Sequence, residues 1–170
     1  MIEYLKLKRV LIYEDKEIPL FVEFDYDNFA TLQVSIKIPH DNPLIKVFNG
    51  NIISYIFFNL YSDEIEVSEF RNYLSIHDAE WDKAIAAKLP KEIMQYGKGF
   101  GKIILCLGLQ YIIQEIKPDS NVIILEAATK ELFKYYESYG FKLRSENGYR
   151  MVSTIDIILS HCNESNFYSL

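Results

Sequence analysis

The glycine-spaced segment at residues 96–102, followed at once by an apolar stretch, most strongly limits what this chain can fold into. Its sequence is YGKGFGK, with glycines at Gly97, Gly99 and Gly101. Glycine reaches positive φ angles and lets another group come close to the main chain. The stretch 102–116 (KIILCLGLQYIIQEI) is long and apolar enough to predict a largely buried helix. We therefore expect a loop that leads directly into a core helix.

A loop of this kind is suited to binding an anion. The first N–H groups of a helix have no intrahelical partner and lie at the positive end of its dipole, so phosphate or pyrophosphate binds there. The segment is not a nucleotide triphosphate loop, because Lys102 is followed by Ile103 instead of Ser or Thr. Its G-x-G-x-G spacing also differs from the dinucleotide pattern. A flexible turn into a core helix, with no ligand, is the alternative.

The segments after the predicted helix alternate between strand and helix signals. Gly140 follows a helical stripe of apolar residues and predicts the end of that helix. Asn147-Gly148 is a strong hairpin signal. In chain order, the pattern predicts a buried strand at 121–125, a helix at 129–139, and two hairpin strands at 141–146 and 149–159.

Together these segments resemble the GNAT (GCN5-related N-acetyltransferase) superfamily. That family pairs a loop of the type R/Q-x-x-G-x-G/A, opening a long helix, with a later helix end of the type F-Y-x-x-x-G-F. Here residues 96–101 (YGKGFG) match the loop, and residues 135–141 (YYESYGF) match the helix end, with a helix and a strand between them. The resemblance covers mainly residues 96–159.

The resemblance implies transfer of an acetyl or other acyl group from acetyl-CoA, as co-substrate, to an amine. The amine would attack the thioester directly, and the loop amides would hold the pyrophosphate. Thr129 occupies a position where many members have an asparagine near the cofactor, and Tyr96 one where Arg or Gln is usual. The cofactor-binding residues implied in this way are Tyr96, Gly97, Lys98, Gly99, Phe100, Gly101, Lys102 and Thr129.

The resemblance also implies a catalytic tyrosine. Tyr136 matches the residue that protonates the departing thiolate, a role suited to a phenol that stays neutral near pH 7 and donates a hydrogen bond. The alternative is that Tyr136 only packs the helix against the sheet, with the neighbouring Tyr135 as its rival.

The N-terminal half is rich in strand signals and lacks the two amphipathic helices that GNAT members usually have between their first two strands. Alternating apolar and polar residues predict strands at 3–13, 18–26 and 29–38. A short helix should begin at Pro43 with Asn42 as its cap, and 52–60 should be a central strand. The fold class expected is α/β, with a GNAT-like, mixed but mostly antiparallel central sheet flanked by helices.

The strand that precedes the glycine loop has two candidates, 64–70 and 83–89. Around them lie acidic side chains that could line an amine site, although such a run is usually a solvated face. These carboxylates are Glu64, Glu66, Glu69, Glu80 and Asp82.

Composition and length predict one domain over residues 1–170. We expect a strand-rich half at 1–80, a cofactor-binding half at 81–160 and a short polar tail at 161–170. The formal net charge of −6, without a basic stripe, argues against a nucleic-acid partner. No leader or membrane-spanning run is evident, so we expect a cytoplasmic protein without a membrane partner.

The cysteines and histidines give no metal motif. Cys106 lies in the predicted buried helix and Cys162 in the tail, so we expect reduced thiols instead of a disulfide. His40, His77 and His161 are far apart in sequence, and we predict no metal site.

The predicted function is therefore that of an acyl-CoA-dependent N-acyltransferase. A homodimer is the assembly considered for it. One alternative is a non-catalytic domain of the same fold that binds a ligand or a protein. Another is an interaction module whose exposed N-terminal strands pair with another chain.

Overall fold

An eight-stranded sheet organises the chain in a computed structural model, which describes residues 2–48, 50–74 and 91–162. The spatial order of the strands is β1-β2-β3-β4-β5-β6-β8-β7. Among these strands β5 and β6 pair in parallel, and the other neighbours are antiparallel. The predicted α/β class with a mostly antiparallel sheet is confirmed. The strands are β1 (Ile2–Tyr13), β2 (Lys16–Tyr26), β3 (Thr31–Lys37), β4 (Ile52–Leu60), β5 (Ile65–Asn72), β6 (Val122–Glu126), β7 (Lys142–Leu143) and β8 (Arg150–Thr154).

The helices are short except for the one that follows the glycine loop. That helix, α3, continues from its α-helical part into a π-helical turn at Ile112–Ile116. No helix in the described ranges has the length and apolar character needed to cross a bilayer. The α-helices are α1 (Ile45–Phe48), α2 (Lys91–Met94), α3 (Phe100–Tyr111), α4 (Phe133–Glu137) and α5 (Ile155–Ser160), with 3₁₀ turns at Gln95–Gly97 and Lys130–Leu132.

The N-terminal half forms consecutive antiparallel strands, as the alternation predicts. A tight loop joins β2 to β3, because the Asp27 carboxylate accepts hydrogen bonds from the N–H groups of Phe29, Ala30 and Thr31 and from the Thr31 hydroxyl. These bonds hold the pKa of Asp27 well below its usual range. Before α1, the Leu44 N–H donates to Asn42 Oδ1 at 3.0 Å, as expected of a capping residue, but the helix begins at Ile45 instead of the predicted Pro43.

Helix α3 packs against one face of the sheet and fills the core. A Cβ on Gly108 would lie 2.7 Å from the Phe58 ring and 3.2 Å from Val34, so this glycine marks the closest approach of helix and sheet. Farther along, Tyr111 stacks on Phe24 with their ring centroids 5.0 Å apart. The predicted buried helix is confirmed, with its start at Phe100 instead of Lys102.

The prediction of a strand over residues 149–159 is wrong in its second half. Strand β8 ends at Thr154, whose side chain accepts a hydrogen bond from the Ile157 N–H at 3.3 Å and caps α5. Ile155 and Ile158 are then buried with helical spacing. A run of isoleucines suits a strand and a buried helix equally, and the cap residue decides between them.

The expectation of two reduced cysteines is also wrong. Cys106 in α3 and Cys162, just after α5, form a disulfide with their Cα atoms 5.9 Å apart. Helix α5 carries the chain back across α3, so residues 56 positions apart in sequence meet. The cytoplasmic location stays a prediction.

We expect reduction of this disulfide to destabilise the protein. Opening a closed loop of 56 residues restores chain entropy to the unfolded state, which typically costs about 2–4 kcal/mol of unfolding free energy. Urea unfolding of the wild type, with and without dithiothreitol, measures the change, and the Cys162→Ser variant is the control that should not respond to dithiothreitol. An unchanged urea midpoint on reduction of the wild type would contradict the prediction.

Candidate functional site

A cleft opens where β5 and β6 stop pairing. Their parallel ladder covers only Ile65–Val67 against Ile123–Leu125. Immediately beyond it, Phe58 of β4 pairs with Val67 and Phe57 pairs with Glu69, so Ser68 is an extra residue in β5. A bulge of this kind bends a strand and increases its twist. The bend follows directly on the last β5–β6 pair, and a cleft lies at that point.

Two pockets lie in this gap. One, of about 270 Å³, reaches the helix α4 and is lined partly by Tyr136, Leu132 and Phe70. The other, of about 250 Å³, is lined partly by Glu66 and Arg150. Both include four residues at the point of separation, namely Val67, Ser68, Leu125 and Glu126. Of the two candidate strands before the glycine loop, 64–70 is the one in β5, and 83–89 lies outside the described residues.

Tyr136 lies in the first pocket and is held there by aromatic packing. Its side chain is 8% exposed, and its ring centroid is 6.3 Å from that of Phe70 and 6.2 Å from that of Phe141. Gly140 adopts a φ of 103°, and the Phe141 N–H then donates to the Tyr136 carbonyl at 3.2 Å. The glycine predicted to end the helix thus brings Phe141 back beneath Tyr136.

The neighbouring Tyr135 has a different environment. Its side chain is 42% exposed and does not line the pocket. The hydroxyl of Tyr139 donates to the Tyr135 hydroxyl at 2.7 Å. Burial, and then the nearby Tyr135, raise the pKa of Tyr139, so Tyr139 stays protonated and keeps its role as donor.

The glycine loop has the conformation that its glycines permit. Gly99 is left-handed, with φ 87°, and its carbonyl accepts the first bond of α3 from the Ile103 N–H at 3.1 Å. The N–H groups before Ile103 therefore precede the helical hydrogen-bond ladder. A Cβ on Gly101 would lie 2.5 Å from the Tyr135 hydroxyl and 3.0 Å from the Phe70 ring. Alanine at this position would force the Tyr135 hydroxyl to move and would press on the Phe70 ring.

Asn72 fastens the loop to the end of β5. Its Nδ2 donates to the Gly97 carbonyl at 2.8 Å, and its Oδ1 accepts from the Leu74 N–H at 3.1 Å. Gly97 itself is packed so closely that a Cβ would lie 2.7 Å from the Leu74 carbonyl oxygen. The glycine loop and the cleft are therefore held at the same end of one strand.

Arg9 is a residue of this site that the sequence reasoning missed. It lies in β1 where the pairing with β2 shifts register between Lys6 and Val10. Its Nη1 donates to the Lys98 carbonyl, and its guanidinium lies 5.9 Å from the centre of the Phe100 ring. With Lys98 and Lys102 it places three cationic residues at the loop of a chain whose net charge is −6. The strand pattern marks Arg9 only as a polar strand residue, so no local signal could identify it.

The other residues named from the sequence lie around this centre. Tyr96 is half-buried against the core. Thr129 directly precedes the 3₁₀ turn before α4 and makes no side-chain cap bond to it. The backbone N–H of Glu131, and then the nearby Thr129 side chain, lower the pKa of the Glu131 carboxyl. The pocket wall includes the flanking Ala128 and Leu132 instead of Thr129.

The acidic residues named from the sequence differ in whether they line a pocket. Glu66 and Glu69 line pockets at the gap, whereas Glu64 does not line any of the pockets described. Glu80 and Asp82 lie outside the described residues. Within the described ranges, no three His, Cys, Asp or Glu side chains are grouped so that they could hold a metal ion.

Comparison with known proteins finds similarity in structure alone. No family model matches the chain, and no curated protein matches its sequence. Among solved structures, the KacTA–DNA complex matches over 94% of this chain and 97% of the other, with a TM-score of 0.50 and 10% identity. The chain has the GNAT fold. A tyrosine-to-phenylalanine mutant of KacT matches 79% of this chain and 76% of its own, with a TM-score of 0.50 and 9% identity.

A third neighbour with the GNAT fold is AtaTR bound with acetyl-CoA, at a TM-score of 0.49 and 12% identity, over 77% of this chain and 71% of the other. The KacTA complex contains DNA. The GNAT fold therefore does not itself exclude nucleic acid, and the expectation that this chain has no such partner rests on its net charge and on the lack of a basic stripe in its sequence.

Gly99 provides a test of the loop. We expect Gly99→Ala to weaken binding of coenzyme A about tenfold or more, because alanine in the left-handed region costs about 1–2 kcal/mol and displaces the loop amides. Isothermal titration calorimetry measures the affinity. Gly50→Ala is the matched control, since Gly50 also has a positive φ, of 140°, but has no atom within 4 Å of its Cβ position. Equal affinity of the Gly99 variant and the control would contradict an anion-binding loop.

Proposed function

We propose that this protein is an acyl-CoA-dependent N-acyltransferase that transfers an acetyl group from acetyl-CoA to an amine. The observation that carries the proposal is the attachment of the glycine loop, through Asn72, to the end of the strand that borders the Tyr136 pocket. An anion-binding loop and a cleft with a phenol in its wall are thus held in one fixed arrangement. This combination suits a substrate that has a pyrophosphate at one end and a thioester at the other.

The loop would hold the pyrophosphate. Main-chain N–H groups of residues 97–102 supply hydrogen bonds, and the start of α3 supplies the positive end of a helix dipole. Arg9, Lys98 and Lys102 add positive charge, and Arg9 braces the loop through the Lys98 carbonyl. Backbone contacts of this type would not depend on the side chain at Tyr96, where the resemblance would favour Arg or Gln.

The gap between β5 and β6 would hold the thioester arm. Within the described residues, no strand pairs with the β6-facing edge of β5 beyond Val67. Main-chain groups along that edge are then available to an extended, amide-containing arm, much as a sheet edge accepts an added strand. The bulge at Ser68 would lie beside the reacting carbonyl.

The reaction itself requires positioning and two proton transfers. The neutral amine nitrogen attacks the thioester carbonyl carbon, a C–N bond forms, and the C–S bond breaks. The nitrogen gives its proton to a carboxylate or to water, and the departing sulfur takes a proton from a general acid. Tyr136 is the proposed acid, because its phenol lies in the pocket wall and is neutral near pH 7.

Thermal unfolding with acetyl-CoA tests the function. A ligand at about 100 times its dissociation constant stabilises a protein by about 2.7 kcal/mol. For a chain of this length that corresponds to a rise of about 5–10 °C in the unfolding midpoint. We expect this rise with acetyl-CoA and a smaller one with pantetheine, which lacks the pyrophosphate. A midpoint that acetyl-CoA leaves unchanged would contradict the proposal.

Substitution of Tyr136 tests the catalytic assignment. We expect Tyr136→Phe to lower kcat about 100-fold, the lower limit for loss of a general acid, while KM for acetyl-CoA changes little. Release of the free thiol measures turnover with an amine that the wild type accepts. Tyr149→Phe is the control. This exposed phenol packs on Phe133, which belongs to the same helix as Tyr136, and it lies outside the pocket. A loss seen with Tyr135→Phe instead would assign the role to the rival tyrosine.

A further inference from the structure

A third pocket lies on the face of the sheet opposite α3 and has a volume of about 430 Å³. Along β4, Phe58 faces α3, so its neighbour Phe57 and the residue two before that, Tyr55, face the other way. Phe48 of α1 and Tyr73 after β5 complete an aromatic wall around the pocket. Three of the four rings are half-buried, so they present apolar surface to whatever enters.

Glu69 is the one charged side chain among the residues that line this pocket. The Tyr55 hydroxyl donates to Glu69 Oε2 at 2.7 Å, which fixes the position of the carboxylate. Burial, and then Glu69 itself, raise the pKa of Tyr55, so the phenol remains a donor. Arg71 pairs with Tyr55 in the β4–β5 ladder and its positive charge acts on that phenol, but Arg71 lines the Tyr136 pocket and not this one. Among the described residues, the ion pair found is between Lys37 and Glu23, and no cation pairs with Glu69.

The aromatic rings suit a positive charge on their faces. Tyr73 is central to the wall, with its ring centroid 6.3 Å from that of Tyr55 and 6.4 Å from that of Phe48. Aromatic faces attract ammonium groups, and a partly desolvated ammonium gains most when a carboxylate is also within reach. An anionic ligand would instead meet one carboxylate and no cation in the pocket lining, so its burial would cost free energy.

Glu69 also connects this pocket to the acyl site. The same carboxylate-bearing residue lines the 430 Å³ pocket and the Tyr136 pocket. A cation bound to Glu69 would therefore lie at the border of the cleft in which the thioester is proposed to bind.

We propose that this pocket binds the acceptor, and that the acceptor is a small primary monoamine with an apolar or aromatic body. Glu69, held by Tyr55, binds the ammonium group, and the wall of Phe48, Phe57 and Tyr73 contacts the body. A cavity of about 150 Å³ already holds benzene, so the pocket has room for one ring and its aminoalkyl chain. The role of this amine as the acceptor rests on the proposed function, whereas the binding of the amine to the pocket does not.

Binding of 2-phenylethylamine to the protein without acetyl-CoA tests this inference. Calorimetry or ligand-observed NMR compares the amine with 2-phenylethanol, which has the same body and no charge. We expect the wild type to prefer the amine about tenfold or more, corresponding to about 1.4 kcal/mol. We expect Glu69→Gln to lose this preference and Tyr55→Phe to reduce it severalfold. Glu64→Gln, which removes a charge outside the pockets described, should keep it. Thermal unfolding of each variant verifies that it is folded.

Each outcome decides the inference separately from the proposed function. Equal binding of the amine and the alcohol by the wild type, or an unchanged preference in Glu69→Gln, would overturn the amine site. If acetyl-CoA binds and the amine does not, the amine site alone fails. If the amine binds through Glu69 and acetyl-CoA does not, the acyltransferase proposal alone fails. A peptide with N-terminal phenylalanine is the second probe. If this peptide binds and 2-phenylethylamine does not, the assignment to a small molecule is overturned.

Discussion

The short parallel ladder between β5 and β6 is the constraint on which the rest of the site depends. Three residues of each strand pair, and the extra residue Ser68 then bends β5 away. A continuous ladder would close the sheet and leave no gap between its two halves. Because the strands pair at one end and part at the other, the same sheet supplies a rigid core and an open edge. Two of the pockets described lie at that edge with a wall formed by β5, and the third reaches β5 through Glu69.

The elements that the sequence predicts best are those fixed by local chemistry. Gly99 and Gly140 both adopt positive φ angles where the pattern requires them, and Asn42 accepts a hydrogen bond from the Leu44 N–H just before α1. The residues that escaped prediction depend on distant parts of the chain. Arg9 reaches the glycine loop across 89 positions of sequence, and Cys106 meets Cys162 only because α5 folds back on α3. No spacing rule within a window of sequence contains such information.

The tyrosine pair in α4 illustrates why a motif alone does not separate neighbours. Tyr135 and Tyr136 are adjacent in sequence and equal in chemistry, but successive residues of a helix point about 100° apart. One ring is therefore buried in the pocket wall, and the other is exposed beside the start of α3. The acidic residues of β5 are sorted in a similar way, since the bulge changes which of them share a face. The position of a side chain relative to the bulge, which the sequence does not reveal, decides its surroundings.

Asn72 would have a kinetic consequence for ligand capture by the proposed loop site. Its side chain bridges the glycine loop and the turn after β5, so contacts within the protein itself restrain the loop. A binding loop that is already ordered loses little conformational entropy on association. Encounter with such a site is limited mainly by diffusion and orientation instead of by a slow rearrangement of the loop. Changes around the loop would then alter affinity mainly through the rate of dissociation, which sets the residence time of the ligand.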